Sequence, residues 1–207
     1  VIRAYDDHHT DIFRNAKVAF HYDDGRRWLN RNPDRTFDFI MMNTTFHWRS
    51  NITNLVSEEF LHLTKRHLKP GGVIYFNTTH SDDITYTAAR AFKHVTQFGT
   101  FVAAGDSPFT VHGPARRENF LRFLDKGKPV FSQAVPESRA VLDSLVNAAL
   151  PELSDSLLAR KDLRLITDDN MLTEFKKITD SDAIGFLYRI YNPDLSWPAL
   201  AAAKRPN

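Results

Sequence analysis

Leu68-Lys69-Pro70-Gly71-Gly72-Val73-Ile74-Tyr75-Phe76-Asn77 decides how this sequence folds. Lys69-Pro70-Gly71-Gly72 stops a helix, because proline has no amide hydrogen and glycine loses the most backbone entropy on ordering. Val73 to Asn77 then reads as a strand, and its apolar run suits burial on both faces. Upstream, Asn54 to Leu68 reads as a helix. Leu55, Phe60, Leu63 and Leu68 recur among charges at helical spacing, and Ser57-Glu58-Glu59 loads carboxylates near its start. Before it, Phe37 to Met42 is another continuously apolar strand, ended by Asn43-Thr44-Thr45. Further back, Lys17 to Tyr22 is β-prone and stops at the turn Asp23-Asp24-Gly25. A short helical piece, Arg26 to Asn32, follows and is closed by Pro33.

Downstream, Ser81 reads as a helix N-cap, with Asp82 and Asp83 in the first turn. That helix is expected to run to about Val95, and Gly99 to Ala104 is a fourth strand. Past Asp106 the pattern loosens. Arg116 to Lys126 and Glu137 to Leu150 read as helices, and Leu163 to Ile166 as a last strand. Strands alternating with helices over short connections predict a mostly parallel, Rossmann-like α/β sheet with helices on both faces.

Composition narrows the function classes. A formal net charge of +2 gives no electrostatic argument for nucleic acid or for an anionic membrane as a partner of the whole chain. With no cysteine there is no disulfide, thiolate metal site or cysteine nucleophile, which fits a reducing compartment. No apolar run approaches the roughly 20 residues of a membrane helix. Val1 to Asp11 is too polar for a signal peptide and reads like the middle of a helix.

Three stretches in order carry a resemblance: Asp24-Gly25-Arg26-Arg27-Trp28-Leu29, Phe37 to Asn43, and Leu55 to Phe60 continuing into Leu68 to Val73. Together they resemble the spermidine synthase family of aminopropyltransferases, a branch of the class I methyltransferase fold. Thr167-Asp168-Asp169-Asn170 with Glu174-Phe175 is similar to the family's closing segment. The resemblance implies one domain over residues 1–176, an appended tail over 177–207, and a chain that enters the fold late. The glycine-rich loop, the first two strands and the ribose-binding carboxylate would lie upstream. It also implies an edge that must be covered, by a second copy or by that upstream part. Asn-Thr-Thr, His47-Trp48-Arg49 and Asp168-Asp169-Asn170-Met171 are similar to a subgroup whose domain follows a multi-pass membrane segment, which would make this a cytoplasmic appendage of a membrane protein.

The resemblance also implies site residues. Asp24, with Gly25, matches the position that accepts from the adenine amino group of decarboxylated S-adenosylmethionine or its methylthioadenosine product. Read from the residues alone, Asp24 stabilises a turn before Gly25. Asn43 stands where the family has its catalytic Asp, and an amide cannot serve as that base. No carboxylate and no proline follow it in Thr44-Thr45-Phe46-His47-Trp48. His47 has the right chemistry for a base near neutral pH, or its loop simply packs aromatic groups on the sheet edge. Asn43 and Thr44 with Thr45, Asn77 and Thr78 would make a neutral hydrogen-bonding floor, the first two toward the nucleoside and the others toward the substrate. The same residue types also cap strands and helices with no other role. His8-His9 beside Asp6-Asp7 reads as a solvated helix face, and no metal site is assigned.

Three functions compete on this reading. One is aminopropyl transfer to a polyamine, impaired by Asn43. The second is an S-adenosylmethionine-dependent methyltransferase, for which orientation alone suffices with some acceptors. The third is a non-catalytic domain that binds a nucleoside or polyamine or packs on a partner.

Overall fold

The computed structural model describes residues 15–43, 53–78, 81–98, 100–110, 113–125 and 127–172. Helix α1 (Gly25–Arg31) begins where Asp24 Oδ1 accepts from the Arg27 amide at 2.8 Å. Strand β1 (Phe37–Met42) lies parallel to β2 (Leu68–Asn77), with Met42 opposite Phe76. Between them run a 3₁₀ turn (Thr53–Leu55) and α2 (Glu58–Arg66), which the Ser57 hydroxyl caps. Helix α3 (Asp82–Ala91) follows β2. Strands β3 (His94–Phe98) and β4 (Phe101–Gly105) form an antiparallel hairpin that turns β4 back against β2. The four-stranded sheet has the order β1-β2-β4-β3.

The α/β class therefore holds, with a mixed sheet: β1–β2 is the parallel pair, and the closing hairpin is antiparallel. Helix α3 stops at Ala91, short of the expected Val95. Val95 and Thr96 are β-branched and fit a strand, and Val95 enters the core opposite Ala104. Lys17 to Tyr22 is not a strand. No ladder partner meets it among the described residues, and Tyr22 is 82% exposed. Nor is β1 buried on both faces: it is the sheet's edge, with Phe39 and Met41 more than half exposed.

The main core lies between one sheet face and the layer of α2 and α3. Ile74, Phe76, Val102 and Ala104 from the sheet meet Leu61, Ile84 and Ala88 from the helices. On the opposite face Tyr75 stacks between Phe39 and Phe101, at 6.2 and 4.9 Å between ring centres. Burial raises the Tyr75 pKa, as expected for a phenol kept from water.

Helix α2 ends at Arg66, ahead of Lys69-Pro70-Gly71-Gly72, which instead lie within β2 and let the strands approach. Gly71 takes φ +77°, a conformation that suits glycine. A Cβ on Gly72 would sit 2.9 Å from the Lys69 carbonyl oxygen and 3.0 Å from that of Phe37. Both are backbone atoms, so they cannot swing away. Gly72→Ala is expected to cost about 1–3 kcal/mol, read as a lowered thermal midpoint. An unchanged midpoint would mean that β1 and β2 can separate at this end without loss.

Leu163 to Ile166 is extended but joins no sheet, because side chains supply its backbone partners. Arg164 N donates to Asp83 Oδ1 and Ile166 N to Thr87 Oγ1, each at 3.0 Å. The Ile166 carbonyl accepts from Glu58 N at 2.8 Å, and its side chain is wholly buried in the core.

A second outer segment is held by one carboxylate. Leu153 N donates to Val95 O at 2.8 Å, just before α6 (Ser154–Leu158). Partial burial alone would raise the Glu152 pKa. Bonds from the Ser154 hydroxyl and amide, the Val95 amide and the His94 ring outweigh it and hold the carboxyl at about 2. A depressed carboxyl stabilises the fold above its ordinary pKa and loses that contribution as pH falls through its folded value. Stability should therefore fall between about pH 4.5 and 2, and Glu152→Gln should flatten that part of the acid denaturation curve. An identical curve for the variant would refute this.

The remaining elements form an outlying unit. Helix α4 (Gly113–Leu121) packs on α5 (Pro136–Asn147), tied by an Arg117–Asp143 ion pair. Between them β5 (Leu124–Asp125) and β6 (Lys128–Pro129) make a two-stranded hairpin. The expected helices near 116–126 and 137–150 are thus present, the first cut short by this hairpin.

Candidate functional site

Two parallel strands that end together expose their last residues at one rim. In open α/β sheets ligands bind at that carboxyl end. Asn43 follows Met42 directly and is exposed, while Asn77 is half-buried opposite it across the strand pair. Both α2 and α3 start from this rim, so their N-terminal amides lie near it. Thr78 is buried, and its hydroxyl donates to the Thr100 carbonyl at 2.9 Å, a bond that fixes the β2 end to the hairpin. Ser81 occupies the N-cap position of α3 as expected, yet its hydroxyl caps nothing and is buried without a partner. Asn54 Oδ1, on the connection that leaves β1, is likewise buried and unpartnered.

A cavity of about 450 Å³ opens beside β1. Trp28, Phe39, Met41 and Met42 wall it, and Asp23 and Gly25 stand at its border. Asp24 lies between those two residues but caps α1 instead of lining the cavity. Asp23 accepts from the Arg27 side chain, which lowers its pKa and keeps it ionised. Sequence reading had singled out Asp24 and passed over Asp23, Trp28 and the outer side chains of β1. The signal available was the doubled Asp23-Asp24. An open edge was expected from the resemblance, but not that β1 forms it among the described residues.

The closing segment is brought to the same end of the molecule. Asp168 receives both terminal nitrogens of Arg26, the first at 2.7 Å, and the Ser57 hydroxyl at 2.6 Å. Its amide donates to Glu59 at 3.0 Å. The Arg26 guanidinium is the main reason that the Asp168 carboxyl sits below the ordinary carboxylate range. Asp168 thus clasps α1 to the start of α2. Asp168→Asn is expected to destabilise by about 1–2 kcal/mol, since this pair is only partly buried. Denaturant unfolding reads this directly, and Arg26→Gln should add little on top because both changes break the same contact.

Thr44, Thr45 and His47, with the rest of Phe46 to Asn51, lie outside the described residues. So do Thr79, His80, His8-His9, Glu174-Phe175 and the tail over 177–207. Among the described residues no three His, Asp or Glu side chains gather as a metal-binding group. No helix there is long and apolar enough to cross a membrane.

A family model, Spermine/spermidine synthase domain, matches residues 2–130. The chain belongs to that family. A comparison with curated proteins finds no match. Membership in the spermine/spermidine synthase family agrees with a class I methyltransferase-like α/β fold. The matched span holds the whole four-stranded sheet, the rim with Asn43 and Asn77, and the outlying hairpin. Ile166 and Asp168 lie beyond it, yet they complete the core and the clasp.

Proposed function

We propose that this domain holds an S-adenosyl nucleoside, either decarboxylated S-adenosylmethionine or S-adenosylmethionine, and is impaired in aminopropyl transfer to a polyamine. The observation that carries the reading is Asn43, exposed at the carboxyl end of β1 where the family resemblance calls for a carboxylate. In aminopropyl transfer the amine nitrogen attacks the carbon beside the sulfonium. The carbon–sulfur bond breaks, methylthioadenosine leaves, and the new ammonium must lose a proton. A carboxylate can take that proton or balance the charge. The Asn43 amide can accept a hydrogen bond from the amine and orient it, but it is no base. Loss of a general base typically costs about 10²–10⁴-fold.

The nucleoside half of the reading is supported by the cavity beside Gly25. Its size is in the range of small-ligand pockets, and aromatic and thioether side chains wall it. Asp24 spends one carboxylate oxygen on the Arg27 amide and does not line the cavity, so its part in holding the adenine rests on the family resemblance alone. Asn77 is suited to orient a substrate amine from the rim. Thr44, Thr45 and His47 belong to the same proposal, while Thr78 has its hydroxyl committed to Thr100. A calorimetric titration of the full-length protein with methylthioadenosine, then S-adenosylmethionine, tests the reading. Micromolar binding of at least one is expected, and binding of neither overturns the nucleoside site. Turnover of a methyl acceptor with S-adenosylmethionine would move the assignment to methyl transfer.

A further inference from the structure

Residues 116–130 hold five basic side chains against two acidic ones, Glu118 and Asp125. Arg116 is spent on the Val146 and Ala148 carbonyls and Arg117 on Asp143, so Arg122 and Lys128 are the described basic side chains left to face outward here. Large apolar side chains stand exposed in the same place: Phe123 at 57%, Leu124 at 61% and Val130 at 50%. They are contiguous. Val130 N donates to Phe123 O at 2.9 Å, and Leu124 pairs with Pro129. Single exposed apolar residues are ordinary, but a cluster on one projecting element marks a contact surface.

The hairpin forms its own small sheet. Neighbouring residues on a strand point to opposite faces, so Phe123 and Leu124 display apolar groups on both sides. A two-stranded hairpin is marginal in water unless it packs on something. Phe120 supports its base, with ring centres 6.3 Å from Phe123 and 5.6 Å from Phe131. Among the described residues no ring contact covers Leu124 or Val130. A flat protein partner would cover one face and leave the other wet. A lipid interface receives both faces at once, and its phosphates suit Arg122 and Lys128. Arg122 pairs with Glu118 only through an exposed contact, both side chains being 70% exposed, and such pairs yield readily to a stronger anion.

We propose that the hairpin around Leu124–Pro129 rests on an anionic lipid surface. Phe123, Leu124 and Val130 enter the interface, and the basic side chains meet the headgroups. The test is co-sedimentation of the whole protein with vesicles of phosphatidylcholine alone or mixed with phosphatidylglycerol. Binding is expected to the mixed vesicles, to weaken as salt is raised, and to be much weaker on phosphatidylcholine. The double variant Phe123→Ser, Leu124→Ser should bind about tenfold more weakly or worse, with an unchanged thermal midpoint because both side chains are exposed. Lys128→Glu should also weaken binding, without touching the apolar tip. No binding to the mixed vesicles overturns the proposal, as does binding that ignores both substitutions. Self-association abolished by the double variant, with no vesicle binding, also overturns it and assigns the tip to a second copy.

Discussion

Replacing Asn43 by Asp is expected to raise aminopropyl transfer by about 10²–10⁴-fold in the full-length protein. The substitution is nearly isosteric, and position 43 is exposed, so the new carboxylate faces water and needs no buried partner. It would lie beside Asn77, whose amide can donate to it and hold it ionised. The gain should appear in turnover more than in nucleoside affinity, because Asn43 itself does not line the cavity, which reaches this end of β1 only as far as Met42. Release of methylthioadenosine from decarboxylated S-adenosylmethionine, with a diamine as acceptor, measures it. Binding without any gain would refute the view that the missing base is what limits this domain.

Ile166→Ala should remove about 2–5 kcal/mol of stability, the usual cost of emptying a fully buried branched side chain. The site has little room to collapse. Helices α2 and α3 flank it, and backbone bonds to Glu58 and Thr87 fix both sides of the residue. Urea unfolding would show it as a lower midpoint, while Lys161→Ala, nearby but exposed, should change little. The result matters because Ile166 lies beyond the family match. A small effect would mean that the domain is complete by residue 130.

How legible the sequence is depends on how local the determining physics is. The starts of α1 and α3 were readable from the Asp23-Asp24-Gly25 turn and from Ser81, whereas α2 begins at Glu58, four residues after the expected Asn54, because Thr53–Leu55 forms a 3₁₀ turn first. The strand cores of β1 and β2 were readable from their apolar runs. The first strand of the hairpin was missed because the reading of α3 ran on to Val95, although β-branched Val95 and Thr96 suit the strand that pairs with Phe101–Gly105. Leu163 to Ile166 looks like a strand in composition, but its partners are Asp83 and Thr87, which no local pattern announces. The site divides in the same way. Asn43 and Asn77 were readable as strand ends, and the structure sets them at one rim. The cavity was not readable, because it depends on β1 standing at the edge of the sheet. The Arg26–Asp168 clasp joins residues far apart in sequence, and nothing near either one signals the other.

The order β1-β2-β4-β3 also constrains vectorial synthesis. A nascent chain that has emerged only as far as Phe98 holds β1, β2 and β3, but the strand that must sit between β2 and β3 has not yet appeared. Until Phe101–Gly105 emerges, the inner edge of β2 offers unpaired amides and carbonyls to any extended segment nearby. The sheet is finished by an insertion into its middle. Among the described strands, the inner edge of β2 is therefore left open until Phe101–Gly105 leaves the ribosome.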